Sequence, residues 1–249
     1  MEQEETGIGS NLELFLLVLV KVMLKESVSI IIATLNEEED IGNIIKKCQQ
    51  YSNDIVIVDG HSTDKTREIA ESLDARVFLD NKKGKGDAIR VGISKARNDV
   101  LVFIDADGSH NPDDIPKIAK PILDGRADHV STSRMKGGSD ELHGDLNKFI
   151  RMVGSDIITL GINYRFGVRL TDSQNGFRAI KRDVALSLGL KENIGTIEQE
   201  LVIKTLKKGY KILEIPSHEY KRQHGNSRIL LRRVWFRWVY SWIKYLFFN

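Results

Sequence analysis

Asp105-Ala106-Asp107 is the feature of this chain with the sharpest chemical implication. Two carboxylates two residues apart at a strand's end can approach one cation from the same side. An all-oxygen pair suits Mg2+ or Mn2+, which keep coordination positions open for substrate phosphates. An acidic turn punctuated by Gly108 and Asn111-Pro112 is the purely structural alternative. Asp59 follows the apolar run Ile55 to Val58, where a carboxylate can accept hydrogen bonds from a ribose or base edge, or cap the Ser62–Thr66 turn. Lys82-Lys83-Gly84-Lys85-Gly86 precedes a helical pattern, a place where backbone N–H and ammonium groups meet a phosphate; the alternative is a solvated basic loop. His110 and His143 lack the i, i+4 His or Glu company of a zinc site, and Cys48 is the single cysteine. That excludes an intramolecular disulfide and a multi-cysteine zinc centre, and it fits a reducing compartment.

The elements that must position these groups follow from periodicity. Val28 to Ile32, Ile55 to Val58, Arg76 to Leu79 and Val100 to Ile104 read as short strands, the apolar ones nearly unbroken. Between them, Glu37 to Gln50 carries Ile41, Ile44, Ile45 and Cys48 on one helical face. Ser62, Thr63 and Asp64 cap a helix reaching about Leu73, and Asp87 to Ala96 is helical. Such alternation predicts an α/β fold with a mostly parallel sheet covered on both faces. In these sheets ligands bind outside the carboxyl ends of the strands, which is where Thr34 to Glu37, Asp59 to Asp64 and Asp105 to His110 fall. No G-x-G-x-x-G or G-x-x-x-x-G-K-[ST] follows the first strand, which weakens dinucleotide and P-loop readings. The second half is less regular: a strand at Ala127 to Ser131, a helix from Leu142 to Ile162, a helix from Glu198 to Lys208 and a strand from Tyr210 to Ile215.

The pieces occur together and in order. Thr34-Leu35-Asn36-Glu37, Val58-Asp59-Gly60-His61-Ser62-Thr63-Asp64, Lys85-Gly86, Asp105-Ala106-Asp107-Gly108-Ser109-His110 and Asp172-Ser173-Gln174-Asn175-Gly176-Phe177-Arg178 resemble family 2 glycosyltransferases of GT-A (Rossmann-like) fold. Within these the chain most resembles the dolichyl-phosphate mannosyltransferase branch. Ser133-Arg134 with Gly137-Gly138, Arg151 with Ser155, Glu200, Glu214-Ile215-Pro216, and Arg222 followed by Gly225, Ser227 and Arg228 extend the match.

The resemblance implies a metal-dependent, inverting transfer of a hexose from a nucleotide sugar to a polyprenyl or dolichyl phosphate. GDP-mannose is the favoured donor; UDP-glucose or UDP-N-acetylglucosamine is the rival, and a GT-A-like nucleotidyltransferase is the more distant alternative. By the same resemblance, Asp105 and Asp107 hold Mg2+ or Mn2+, with Ala106 and Ser109 alongside. Thr34, Leu35, Glu37, Val58 and Asp59 lie at the nucleotide, and Lys85 at the nucleotide or diphosphate. Arg134, Arg151 and Ser155 meet phosphate groups, and Arg222 and Arg228 close over the donor. Asp107, Arg134, Arg151 and Arg222 are the expected catalytic groups. The chain departs from the pattern at Ala33, Leu35, Gly60 and Arg228, where Pro, Tyr, Asp and Lys are frequent.

Charge sorts the two ends of the chain. The 249 residues carry a net charge of +2, too balanced for a whole-chain nucleic-acid footprint. Seven basic and no acidic residues lie between Lys221 and Asn249, so the rest of the chain carries −5. Leu231, Val234, Trp235, Trp238, Val239, Trp242 and Leu246 recur at helical spacing, with Arg233, Arg237 and Lys244 largely opposite. A basic, Trp-rich amphipathic helix suits the interface of a membrane; a helix docked on the domain, or an oligomer contact, is the alternative. The expected organisation is a leader over residues 1–26 that is either an amphipathic helix or a membrane-touching segment, a GT-A domain over 27–228, and an interfacial helix over 229–249. The acidic start and the lack of a long uncharged apolar run argue against a signal peptide or a spanning helix, which needs about 20 apolar residues. The expected location is the cytoplasmic face of the membrane, with no nucleic-acid partner and an open oligomeric state.

Overall fold

The computed structural model describes residues 22–141, 146–222, 224 and 231–248. Residues 1–21 of the expected leader, His143 and Arg228 lie outside the described residues. Among those described, seven strands form one sheet in the order β3-β2-β1-β4-β6-β5-β7. The strands are β1 (Val28–Thr34), β2 (Asp54–Asp59), β3 (Arg76–Leu79), β4 (Val100–Phe103), β5 (His129–Ser133), β6 (Arg178–Lys181) and β7 (Ile212–Pro216).

The apolar runs explain the layering. Side chains alternate across a strand, so Ile30 and Ile32 of β1 pack on one side of the sheet while Ile31 packs on the other. One layer contains α1 (Ile41–Cys48), α2 (Thr66–Ser72) and α4 (Ile115–Leu123); its core joins Ile41, Ile44, Ile45 and Cys48 to Ile115, Ile118 and Ile122. Across the sheet, α3 (Lys85–Lys95) sets Ala88, Ile89 and Ile93 against Ile31, Val56 and Val58. Gly92 lets α3 lie against β1, because a Cβ there would overlap Ile31.

Polarity and register bring the chemistry to one edge. β1, β2, β3 and β4 are parallel neighbours, with Thr34 opposite Asp59 and Ile31 opposite Phe103. β6 runs antiparallel to both β4 and β5, with Arg178 opposite Phe103 and Ser131. The segment that enters β6, Asp172 to Phe177, therefore lies at the carboxyl ends of the parallel strands. β5 and β7 are parallel and end together at Ser133 and Pro216. Arg134 and the segment from Ser217 onward leave from that same edge.

β6 and α4 lie outside the expected element list. β6 is four residues, Arg-Ala-Ile-Lys, with too little pattern to stand out. α4 is interrupted in sequence by Pro116 and Pro121, which read as breakers yet sit within or at the start of the helix. Further along come α5 (Arg134–Gly137), the long α6 (Leu146–Phe166), α7 (Arg182–Ser187), α8 (Ile197–Lys207) and α9 (Leu231–Ile243), the last continuing into a wide turn over Lys244–Phe248.

The interior side of α9 differs from expectation. Trp238, Trp242 and Leu246 of the presumed membrane stripe pack with Tyr245 onto Ile158, Ile162, Val202 and Ile203 of α6 and α8. Trp242 fits against Gly161, where a Cβ would collide with the indole ring, and Trp238 against Gly195, where a Cβ would stand a tight 3.0 Å from it. Phe236, Tyr240, Ile243 and Phe247 face outward instead. Beside them α6 exposes Phe149, Val153, Ile157, Leu160 and Tyr164 at helical spacing. Among the described residues no helix is long and apolar enough to cross a membrane.

Candidate active site

A cleft of about 1450 Å3 opens at the carboxyl edge of the sheet and gathers most of the expected site residues. Thr34, Leu35, Glu37, Lys85, Asp105, Ala106, Asp107, Ser109, Arg134, Arg151, Ser155 and Arg222 all line it. Asp107 is buried; its Oδ1 accepts the Ser109 N–H at 3.0 Å and the Ser109 hydroxyl at 2.6 Å. Its Oδ2 meets Arg222 at 2.6 Å. Asp105 pairs with Lys85 at 2.7 Å, and Lys85 also reaches Glu198 at 2.9 Å. Burial pushes the Asp105 carboxyl up, but Lys85, His110 and Arg222 outweigh it and hold it at about 2, so it is ionised at neutral pH. The ammonium of Lys85 is held charged against its own desolvation by the same two carboxylates.

Asp105 and Asp107 fit a divalent cation. They are two hard oxygen donors, and Gly176 keeps space beside Asp105, since a Cβ there would stand 2.9 Å from its Oδ2. Among the described residues no third His, Cys, Asp or Glu completes a protein-only cage. Positions on a bound ion would then remain for diphosphate oxygens and water, the usual state of protein-bound Mg2+.

The far wall is cationic. Arg134 forms a fork with Asp172, Nε at 2.6 Å and Nη2 at 3.1 Å, and its Nη1 lies 3.5 Å from Glu219. The Asp172 carboxylate is itself fixed by the Gln174 N–H, and Glu214 takes the backbone N–H groups of Thr171 and Asp172. Arg151, one helical turn before Ser155 on α6, has no carboxylate within 4.0 Å among the described residues. Burial and the neighbouring Arg134 lower its proton affinity, so an anion placed beside Arg151 would offset that cost. Next to this cationic patch the lining turns apolar, with Ile150, Ile157, Trp235, Val239 and Trp242.

Val58 and Asp59 fall off the cleft wall. Strand alternation turns Val58 into the core under α3. The Asp59 carboxylate is fully buried, accepting the Ser62 N–H at 2.8 Å and its hydroxyl at 2.5 Å, with Arg67 at 3.6 Å. The turn-capping alternative describes its geometry, and the cleft is reached instead by Gly60, His61 and Asp80. His61 adopts a left-handed backbone (φ 68°), which turns its ring toward Asp80, 3.0 Å from that carbonyl. Glu200, one of the matched residues, is buried against the Lys191 and Glu192 N–H groups and Lys204; Glu198 is its neighbour that faces the cleft. Glu198 and Asp80 carried no distinguishing pattern in sequence, and His61 lay inside the matched Val58–Asp64 motif without a role of its own. Trp238, which donates its indole N–H to Gln174 at 3.2 Å, belonged to a stripe assigned to lipid.

Known proteins resemble this chain in sequence and in fold. The chain is 29% identical to a UDP-N-acetylglucosamine–dolichyl-phosphate N-acetylglucosaminyltransferase of Methanococcus voltae, over 86% of this chain and 96% of that one. It is 28% identical to a dolichol-phosphate mannosyltransferase of Pyrococcus furiosus, over 88% of this chain and 64% of that one. The chain spans 48% of the length of a low-salt glycan biosynthesis hexosyltransferase of Haloferax volcanii, which it matches at 27% identity over 79% of its own length. In fold it superimposes on glucosyl-3-phosphoglycerate synthase of Mycobacterium tuberculosis, whose crystal structure holds Mn2+, UDP and glucosyl-3-phosphoglycerate. The TM-score is 0.71 at 20% identity, covering 91% of this chain and 82% of that one. The Glycosyl transferase family 2 model matches residues 29–189, most of the sheet and the carboxylate pair included, and the chain belongs to that family.

Proposed function

We propose that this glycosyltransferase moves a hexose, with mannose from GDP-mannose as the favoured donor, onto the phosphate of a polyprenyl or dolichyl lipid. The observation that carries this reading is the make-up of one cleft: Asp105 and Asp107 with Lys85, Arg134, Arg151 and Arg222, alongside an apolar lining of Ile150, Ile157, Trp235, Val239 and Trp242. A substrate that is anionic at one end and hydrocarbon at the other suits such a lining. The named relatives act on dolichyl phosphates, which supports the acceptor, while they differ in donor.

A divalent cation held by Asp105 and Asp107 would draw electron density from the donor diphosphate. Lys85 and Arg222 stand where they can stabilise the charge that grows on the leaving nucleotide, typically the largest catalytic contribution. Arg134, Arg151 and Ser155 would hold the acceptor phosphate so that one of its oxygens attacks the anomeric carbon as the carbon–diphosphate bond breaks. That oxygen is already ionised, so the step needs no strong general base. In-line attack inverts the anomeric centre and gives a β-linked lipid phosphate from an α-linked donor. The outward faces of α6 and α9, rich in Phe, Tyr and Ile, would rest on the cytoplasmic face of the membrane and bring the cleft to its acceptor.

Radiolabelled GDP-mannose and UDP-hexoses offered with a polyprenyl phosphate test the reading. Label from GDP-mannose should move into the chloroform phase. Chloroform-soluble label from a UDP-sugar alone would overturn the choice of donor, and none from any donor would overturn the acceptor.

A further inference from the structure

Outside the cleft lining, the Glu214 carboxylate of β7 is 3% exposed and collects four donors. Its Oε1 accepts the N–H groups of Thr171 and Asp172 at 2.7 and 2.8 Å. Its Oε2 accepts the Thr171 hydroxyl at 2.7 Å and meets the Lys136 ammonium, on α5, at 2.8 Å. A carboxylate can accept at both oxygens, whereas an amide accepts at one and presents N–H groups at the other position. The arrangement therefore calls for Glu rather than Gln.

The hydroxyl contact also sets a direction. Thr171 has one hydroxyl proton, and it goes to Oε2, which only accepts. The Ser133 hydroxyl, 2.6 Å from Thr171 Oγ1, is then the donor of that pair. Its own oxygen is left to accept the Lys136 N–H at 3.1 Å, the side-chain cap of α5. Arg134 is the first residue of that helix. A second path runs through Asp172, whose main chain Glu214 fixes. The Asp172 carboxylate takes Arg134 at its backbone N–H (3.3 Å), its Nε (2.6 Å) and its Nη2 (3.1 Å). Both paths lead from one carboxylate to one arginine.

We infer that Glu214, acting through Thr171, Ser133 and Asp172, is a positioning residue that aims Arg134 at the acceptor phosphate, a role that rests on the acceptor reading above and deepens it. Glu214 itself lies off the cleft wall. It fixes both the main chain and the guanidinium plane of Arg134, so the fork is set before the phosphate arrives. With an amide at position 214, two of the four donors face an NH2 group, and the hydroxyl chain is free to reverse.

Steady-state transfer to a polyprenyl phosphate, from the nucleotide sugar that labels it, tests this on the wild type, Glu214→Gln, Arg134→Met and the double variant. Glu214→Gln should raise the acceptor KM roughly 10- to 100-fold and leave the donor KM within about 2-fold. A variant that had only lost folded protein would lower kcat and leave both KM values in place. Arg134→Met should also raise the acceptor KM. Adding Glu214→Gln to it should change that value by no more than about 2-fold, because a residue acting through Arg134 has nothing further to remove. Equal shifts of donor and acceptor KM, no shift, or losses that multiply in the double variant would overturn the inference while the acceptor reading stands. Where Glu214→Gln does not fold, Thr171→Val cuts the chain and keeps the carboxylate; it must raise the acceptor KM selectively, by about 3-fold or more, and an unchanged value overturns the inference equally. No labelled lipid from the wild type would overturn the acceptor reading, and the role of Glu214 with it.

Discussion

At the scale of single residues, the site depends on charges held by partners rather than by solvent. Arg134 and Asp172 are the plainest case, at 12% and 0% side-chain exposure. Removing one member of a buried pair strands the other and costs ~3–5 kcal/mol. Asp172→Asn should therefore lower stability in urea by about 3 kcal/mol, and part of the loss should return in Asp172→Asn with Arg134→Met. A loss below 1 kcal/mol in the single variant would contradict this account. Residue types and spacing marked Asp105, Asp107 and Lys85, the resemblance added Arg134, Arg151, Ser155 and Arg222, and all seven line the cleft. Neither could separate Asp59 from the cleft, since whether a carboxylate at a strand end faces out or caps its own turn depends on the Ser62 contact. Glu198 was hidden within an ordinary helical pattern; only the pairing with Lys85 sets it apart.

At the scale of elements, glycines decide how helices reach the sheet and one another. The apolar runs made the parallel half of the sheet readable, since strands buried on both faces leave unbroken Ile and Val. The face of α9 was not readable. Its period marked a helix, yet the notches at Gly161 and Gly195 that receive Trp242 and Trp238 come from other elements. Gly161→Ala should push Trp242 out and loosen α9, at a cost of ~1–3 kcal/mol for overpacking. Limited proteolysis should then cut near α9 faster than in the wild type while nucleotide binding persists. Unchanged cleavage would mean that the indole is not seated as described.

For the whole molecule, the division of labour is between a sheet edge that gathers charge and a pair of helices that present apolar surface. Phe236 and Tyr240 are 64% and 60% exposed on α9, and Phe247 62% on the turn that follows it, next to the stripe of α6. Flotation with vesicles containing anionic lipid should carry the protein upward, and Phe236→Ser with Tyr240→Ser should weaken that association about 10-fold or more. Equal flotation of variant and wild type would remove these side chains from the membrane surface. The central claim concerns the carboxylates, and transfer by the Asp105→Asn, Asp107→Asn double variant addresses it most directly. Label transfer to polyprenyl phosphate should fall at least 1,000-fold, by roughly the several kcal/mol a metal contributes, and nucleotide binding should lose its dependence on Mn2+. Turnover at the wild-type rate in that double variant would contradict the account.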